Sequence, residues 1–163
     1  MKKHLLLFSL LFWAGSAFAV SVDGELVCPD TKKEGEKLAC NVQLANYGCS
    51  DVEITGAIVM FVGNSGNTLG GMGIWGPYVR SFLNNEIIPA GDPDECASNG
   101  GFFATTPGTF SSNIKIIDPV PSVSPTAGAA TVQIELTDLN PLDPSDADDD
   151  IGLDAMVEVL PSP

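Results

Sequence analysis

Several short segments of this chain alternate apolar and polar residues with a period of two, which is typical of a β-strand with one buried face. The alternation is cleanest from Leu38 to Leu44 and from Ala130 to Leu136. Val52 to Val62 is a longer β-branched run, apolar on both faces in its second half, which predicts a central strand. Shorter strands are predicted over residues 25–28, 78–83, 86–88, 110–117 and 155–159. No stretch after residue 19 shows a helical period.

Turn-forming residues separate these segments. Residues 63–76 contain six glycines and predict a loop or an irregular hairpin connection; they lack the GKS/T and GxGxxG patterns of phosphate-binding loops. Residues 30–36, 89–101 and 138–154 are also predicted to be turns or loops. Seven to nine short strands with such connections predict an all-β, two-sheet antiparallel sandwich with long loops.

The first nineteen residues have the three parts of a secretory signal peptide. Lys2 and Lys3 supply positive charge, Leu5 to Trp13 form an apolar run, and residues 17–19 form a small-residue cleavage site. We expect cleavage before Val20, a single β-sandwich domain over residues 20–163, and a secreted or periplasmic location. The apolar run is shorter than the roughly 20 residues that span a bilayer, so we expect no membrane anchor in the mature chain.

Charge and histidine content exclude several classes of function. The mature chain has five basic residues against 21 acidic ones, a net charge of −16. Such a surface repels phosphate groups, so nucleic acid and membrane-surface partners are disfavoured. The single histidine, His4, lies in the signal, so histidine-dependent catalysis and histidine-ligated metal sites are excluded in the mature chain. Carboxylate chemistry, or no catalysis, remains.

Four cysteines in an exported chain predict two disulfides, because their spacing does not fit a zinc site. They are Cys28, Cys40, Cys49 and Cys96. Pairing Cys28 with Cys40 across a hairpin that turns near Glu34, and Cys49 with Cys96 between two loops, is favoured. Pairing Cys28 with Cys49 and Cys40 with Cys96 is a close alternative.

The segment LACNVQLANYGCSDVEI, residues 38–54, resembles the core of bacterial immunoglobulin-like modules such as the cell-adhesion-related domains. It is a strand that ends in an Asn-containing turn before a second β-branched strand. The resemblance covers about a fifth of the mature chain. It implies an immunoglobulin-like sandwich, secretion, and binding rather than catalysis, and it assigns no site residue.

Two groups of residues are candidates for ligand binding. Trp75, Tyr78 and Phe82 are a candidate sugar-stacking platform; the alternative, that Trp75 and Phe82 fill the ends of the core, is favoured because large aromatic side chains are more often buried. The exposure of Trp75 distinguishes the two.

The second group is a candidate calcium site in the acidic segment 138–154. Its proposed ligands are Asp143, Asp146, Asp148, Asp150 and Asp154. The spacing from Asp146 to Asp150 is similar to the start of an EF-hand loop, but Ile151 replaces the glycine and Val157 the bidentate glutamate. This mismatch favours a solvated hairpin tip whose charge keeps the protein soluble.

The sequence therefore predicts a secreted or periplasmic module that is not an enzyme and has no obligatory cofactor. We expect it to bind protein or carbohydrate at the cell envelope, or to have a structural role there. The alternatives are a small carboxylate-dependent polysaccharide hydrolase, and a pilus or surface-assembly subunit that pairs through an exposed sheet edge. No oligomeric state follows from the sequence.

Overall fold

The computed structural model describes residues 22–122, 128–141 and 149–162. The predicted signal peptide lies outside these residues. Along the chain the elements are β1 (Val22–Val27), β2 (Thr31–Lys33), β3 (Leu38–Asn46), β4 (Val52–Gly63), β5 (Thr68–Trp75), α1 (Pro77–Leu83), β6 (Ile87–Ile88), α2 (Pro93–Ser98), β7 (Gly108–Ile117), β8 (Gly128–Pro141) and β9 (Asp149–Leu160).

These strands form two facing sheets, and the predicted immunoglobulin-like sandwich is confirmed. The smaller sheet has the order β1-β3-β7, and the larger has the order β2-β9-β8-β4-β5, with β6 also paired to β4. All pairs are antiparallel except β2 with β9, which are parallel. The chain therefore crosses to the larger sheet for β2 and returns for β3, which pairs antiparallel with β1 as the predicted hairpin required.

The core lies between the sheets and follows the alternation of the sequence. In β3, the buried apolar side chains are Leu38, Cys40, Val42 and Leu44. In β8, Ala130, Val132, Ile134 and Leu136 are buried in the same way. Full burial of a large aliphatic side chain contributes about 1.5–3 kcal/mol. The two alternating patterns therefore predicted the facing surfaces of both sheets.

Both disulfides form, in the arrangement that the sequence favoured. Cys28 follows β1 and is bonded to Cys40 of β3, with 4.4 Å between their Cα atoms. Val27 is opposite Asn41 in the antiparallel β1–β3 pair. Cys28, one residue after Val27, therefore lies opposite Cys40, one residue before Asn41. Cys49, in the turn after β3, is bonded to Cys96 of α2. This second bond joins two connections that are 47 residues apart.

Two short helices replace a predicted strand and part of a predicted loop. The strand predicted over 78–83 is wrong: α1 begins at Pro77 and buries Val79 and Leu83, which are one helical turn apart. Within the loop predicted over 89–101, α2 begins at Pro93, and the side chain of Asp92 accepts hydrogen bonds from two backbone N–H groups. An N-cap aspartate followed by proline is a helix-start signal that hydrophobic periodicity does not detect.

Other predicted loops also contain strands. Residues 68–75 of the predicted glycine-rich loop form β5, which is paired with β4, so only residues 64–67 turn. Thr31–Lys33, predicted as part of a charged turn, pairs with β9 as β2. The predicted acidic loop 138–154 includes the end of β8 and the beginning of β9. In each case pairing with a neighbouring strand stabilises a β conformation that the local residue pattern does not indicate.

Candidate functional site

Trp75 lies on the outer face of the larger sheet, over two glycines. It is the last residue of β5 and is opposite Gly56 of β4. A Cβ atom added to Gly56 would lie 3.2 Å from the indole ring, and one added to Gly73 would collide with it. The indole is therefore seated against the sheet by the absence of side chains below it. Trp75 is 53% exposed, so the favoured prediction that it fills the core is wrong.

The other two predicted platform residues lie on α1, directly after Trp75. Tyr78 is 73% exposed, whereas Phe82 is half-buried against the core. Buried Val79 and Leu83 anchor the helix, which contacts β4 and β5. The structure thus brings two exposed aromatic side chains to one corner of the larger sheet and uses Phe82 mainly for packing.

Polar side chains continue the outer face away from Trp75. On β8, Thr137 is opposite Gly56, and a Cβ added to Gly56 would collide with the hydroxyl oxygen of Thr137. Glu135 is opposite Ile58 on one side and Gly152 on the other. A shallow groove of about 420 Å³ crosses this area, and its lining includes Met60, Gln133, Glu135, Asp150, Gly152 and Asp154. The face therefore combines one apolar platform with carboxylate and amide groups.

A second groove, of about 330 Å³, lies beside α1. Its lining includes Glu53, Pro77, Arg80 and Glu86. Nε of Arg80 is 3.6 Å from Oε2 of Glu86, so the cation at the end of α1 is paired with a carboxylate from the next connection. This pair places charged hydrogen-bonding groups close to the aromatic corner.

The predicted calcium ligands are only partly described. Asp143, Asp146 and Asp148 lie outside the described residues. Asp150 and Asp154 are both on the exposed side of β9. Within residues 22–122, 128–141 and 149–162, no group of three or more acidic, histidine or cysteine side chains could hold a metal ion. Calcium binding therefore stays a prediction.

A hydrogen-bonded carboxylate organises the connection that carries α2. One oxygen of Glu95 accepts hydrogen bonds from the Thr105 N–H at 2.6 Å, the Thr105 hydroxyl at 2.8 Å and the Thr106 N–H at 2.8 Å. The Thr106 hydroxyl donates to the other oxygen at 3.1 Å. The Thr106 N–H, followed by the Thr105 hydroxyl, lowers the pKa of Glu95 below 4.5. These contacts give Glu95 a structural role.

Two further exposed aromatic residues lie in this connection and were not predicted as surface features. Phe102 and Phe103 follow the adjacent glycines Gly100 and Gly101, and each is about half-exposed. Paired aromatic residues in a polar loop are a signal that sequence inspection could have used. Phe103 lies between α2 and β7 rather than on β5, so it serves as a control aromatic residue for the platform.

No helix in the described part of the chain is long and apolar enough to cross a membrane. No family model matches the chain, and no curated protein matches it. Solved structures show remote likeness in fold. The CARDB domain of a Pyrococcus furiosus protein, solved in complex with di-metal ions, has a TM-score of 0.41 and 11% identity over 87% of this chain and 90% of that one.

Two other solved structures are similar to the same degree. A human ASH/PapD-like domain has a TM-score of 0.38 and 14% identity over 98% of both chains. A family 123 glycoside hydrolase from Clostridium perfringens has a TM-score of 0.41 and 12% identity over 86% of this chain but 27% of its own. At these TM-scores and identities the likenesses carry no inference about binding or catalysis.

Proposed function

We propose that this chain is an exported, non-catalytic module that binds carbohydrate on the outer face of its larger sheet. The observation that carries the proposal is the indole of Trp75, half-exposed and seated on Gly56 and Gly73. A tryptophan packed in the core would not need two glycines beneath its ring. A flat, fixed aromatic ring at the surface suits stacking against the apolar face of a sugar ring.

The surroundings of Trp75 support this ligand class. Carbohydrate recognition needs hydrogen-bonding groups beside the apolar surface, and Gln133, Glu135 and Asp154 supply amide and carboxylate groups in the groove on β8 and β9 of the same sheet. The groove is shallow and lies on a sheet face, which suits a polysaccharide chain better than a small enclosed molecule. The strong negative charge of the chain disfavours nucleic acid at this face.

The fluorescence of Trp75 provides a direct test. Trp13 lies in the predicted signal, so Trp75 is the single tryptophan of the mature chain and its emission reports on the platform alone. We expect a saturable change in emission on titration with soluble glucans, chitooligosaccharides or solubilised peptidoglycan strands. In pull-down with insoluble polysaccharide, Trp75→Ala should lose at least about tenfold in affinity, as expected for an anchor residue, and Phe103→Ala should bind as wild type. Equal retention of wild type and Trp75→Ala would refute the proposal.

The hydrolase alternative is less well supported. A glycosidase needs one carboxyl group whose pKa is raised, so that it can act as an acid. Among the residues that the structure describes, Glu36 and Glu95 have shifted pKa values, and both are shifted downward, chiefly by hydrogen bonds from backbone N–H groups. Release of reducing ends from any polysaccharide that the protein retains would instead favour the enzyme.

Export is part of the same proposal. Two disulfides indicate an oxidising environment outside the cytoplasm. The intact mass of protein recovered from the periplasm or the medium should correspond to a chain that begins at Val20 and has both bridges. A recovered mass that includes Met1 would contradict the predicted cleavage.

A further inference from the structure

The groove beside α1 contains a buried carboxylate oxygen that accepts no hydrogen bond. This atom is Oε2 of Glu86, and no group in the part of the chain that the structure describes donates to it. Nε of Arg80 lies 3.6 Å away, which is longer than a hydrogen bond. A buried charged acceptor without a donor is unfavourable, because it has lost water and gained no partner. The groove therefore has an unused acceptor for a ligand that carries a donor.

The same groove is negatively charged overall. Its lining includes two carboxylates, Glu53 and Glu86, and one cation, Arg80. Arg80 is the only basic residue in the sequence between Lys37 and Lys115, so the surrounding chain adds no further positive charge. A site with this balance, in a highly acidic protein, attracts a cationic ligand and repels an anionic one.

A protonated amine fits this groove better than a metal ion does. Calcium takes about six to eight oxygen ligands, and two carboxylates supply too few. An ammonium group has three N–H donors and can satisfy Oε2 of Glu86 directly. The side chain of Arg80 is 76% exposed, and exposed ion pairs are weak, so the guanidinium can turn into solvent and leave Glu86 to the ligand.

The groove begins where the Trp75 platform ends. Gly76 and Pro77, the two residues after Trp75, line it. The N–H of Gly76 donates to the carbonyl of Thr55 at 3.1 Å, which fixes the end of β5 against β4 at this point. Glu53 is three residues from Gly56 along β4, a distance of about 10 Å. A polysaccharide stacked on Trp75 can therefore extend into the groove.

We infer that this groove binds the protonated amine of an amino sugar, with the ammonium group replacing Arg80 beside Oε2 of Glu86. The inference rests on the proposed carbohydrate binding and deepens it, because it names polysaccharides with free amino groups as the ligand class. An N-acetylated sugar has no positive charge and gains nothing from the two carboxylates, so it should bind through the platform alone.

Titration of Trp75 fluorescence with two oligosaccharides of equal length tests the inference on the mature, disulfide-bonded protein. The two ligands are the tetramers of glucosamine and of N-acetylglucosamine. At about pH 6, where the amine is protonated, we expect the glucosamine tetramer to bind about tenfold more tightly. At about pH 9, where the amine is largely neutral, the preference should disappear.

The outcomes of this titration separate the two proposals. Equal affinities at about pH 6, or a preference that persists at about pH 9, overturn the amine site and leave carbohydrate binding intact. If neither tetramer nor any other polysaccharide binds, then both proposals are overturned.

Two substitutions with opposite expected effects distinguish a binding role of the ion pair from a structural one. Glu86→Gln removes the carboxylate and should abolish most of the preference for the glucosamine tetramer. Arg80→Gln frees Glu86 and should increase the affinity for that tetramer severalfold, whereas a purely structural pair would lose affinity in both variants. Neither substitution should change the affinity for the N-acetylated tetramer.

The matched control is Glu25→Gln on β1 of the smaller sheet, which removes the same charge and should leave the preference unchanged. Thermal melts establish folding for each variant, and Glu53→Gln replaces Glu86→Gln if the latter does not fold. The inference is overturned if Arg80→Gln weakens binding of the glucosamine tetramer. It is also overturned if the glutamate variant keeps the full preference, or if Glu25→Gln loses as much of it.

Discussion

The two ends of the sandwich are closed in different ways. The helical end, residues 47–51 and 76–107, contains both helices and the long connections between β3 and β4 and between β5 and β7. Backbone hydrogen bonds, such as those from Gly91 to Gly48 and from Ala104 to Tyr47, join these connections at 2.9 Å. The disulfide between Cys49 and Cys96 joins them as well, and the N–H of Ala90 donates to the carboxylate of Asp51 across them.

The turn end, residues 28–37, 64–67 and 118–122, is closed mainly by the backbone. The N–H of Gly35 donates to Val120, whose own N–H donates to Glu36, at 2.9 and 2.7 Å. The N–H of Glu34 donates to Leu160 at the end of β9. Short connections between paired strands thus obtain their order mainly from the sheets, whereas the helical end adds a long-range disulfide and side-chain hydrogen bonds to its backbone bonds.

The disulfides provide the largest expected difference between the two ends. Loop-closure entropy gives about 4 kcal/mol for the 47-residue separation of Cys49 and Cys96, and about 3 kcal/mol for the 12-residue separation of Cys28 and Cys40. We therefore expect Cys49→Ala with Cys96→Ala to lower the free energy of unfolding more than Cys28→Ala with Cys40→Ala. Urea denaturation of both double variants measures this; the reverse order would show that the helical end does not depend on its bridge.

A buried asparagine should show the next largest effect. Asn46 is fully buried; its side-chain amide donates to the carbonyl of Ser50, and its oxygen accepts from the N–H of Gly48, both at 2.8 Å. Asn46→Ala leaves both backbone groups unpaired, which should lower the free energy of unfolding by about 2 kcal/mol.

The control for this variant lies at the turn end. Asn67→Ala removes an exposed hydrogen bond to Ser65 and should change stability by less than about 0.5 kcal/mol. If chemical denaturation gives similar losses for the two variants, then the turn end depends on its side chains as much as the helical end does.

The acid dependence of Glu95 should be the smallest effect, because this carboxylate is partly open to solvent. Its pKa is lowered in the folded protein, so its contribution to stability is present above the ordinary value of 4.5 and is lost as the pH falls through the folded value. Glu95→Gln should therefore lower the melting temperature near neutral pH and reduce the loss of stability on acidification.

The turn end has a comparable carboxylate. Glu36 also has a lowered pKa, chiefly through the N–H of Lys33, but accepts that hydrogen bond at 3.2 Å. Thermal melts of Glu36→Gln over the same pH range should differ less from wild type. If the melting temperature of Glu95→Gln depends on pH in the same way as that of wild type, then the contacts of Glu95 with Thr105 and Thr106 do not contribute to stability.

Sequence alone predicted the parts of this protein whose order is local and periodic. The alternation from Leu38 to Leu44 specifies which side chains are buried, because a strand places successive residues on opposite faces. Prediction from periodicity failed for α1 and α2, because helices of seven and six residues are too short for a helical period to show. Their start signals, Pro77 and the pair Asp92 and Pro93, were the available evidence.

The candidate site depended on tertiary structure in a way that local pattern could not show. Trp75 is exposed because strand pairing places Gly56, which lies 19 residues earlier, beside it. The register that brings them together depends on the β4–β5 turn. Two of the predicted platform residues are at the surface, but their grouping with Glu135 and Asp154 needed the order of β4, β8 and β9.

The positions of the two bridges also determine how the domain would respond to mechanical tension. Val22 lies at the helical end and Leu160 at the turn end, so a force applied to these residues acts along the strands. The bridges exclude their loops of 12 and 47 residues from extension. Each excluded residue shortens the fully stretched chain by about 3.3–3.6 Å. A pulled molecule therefore reaches its limiting length with all of β4, β5, α1 and β6 and most of α2 still enclosed within a covalent loop.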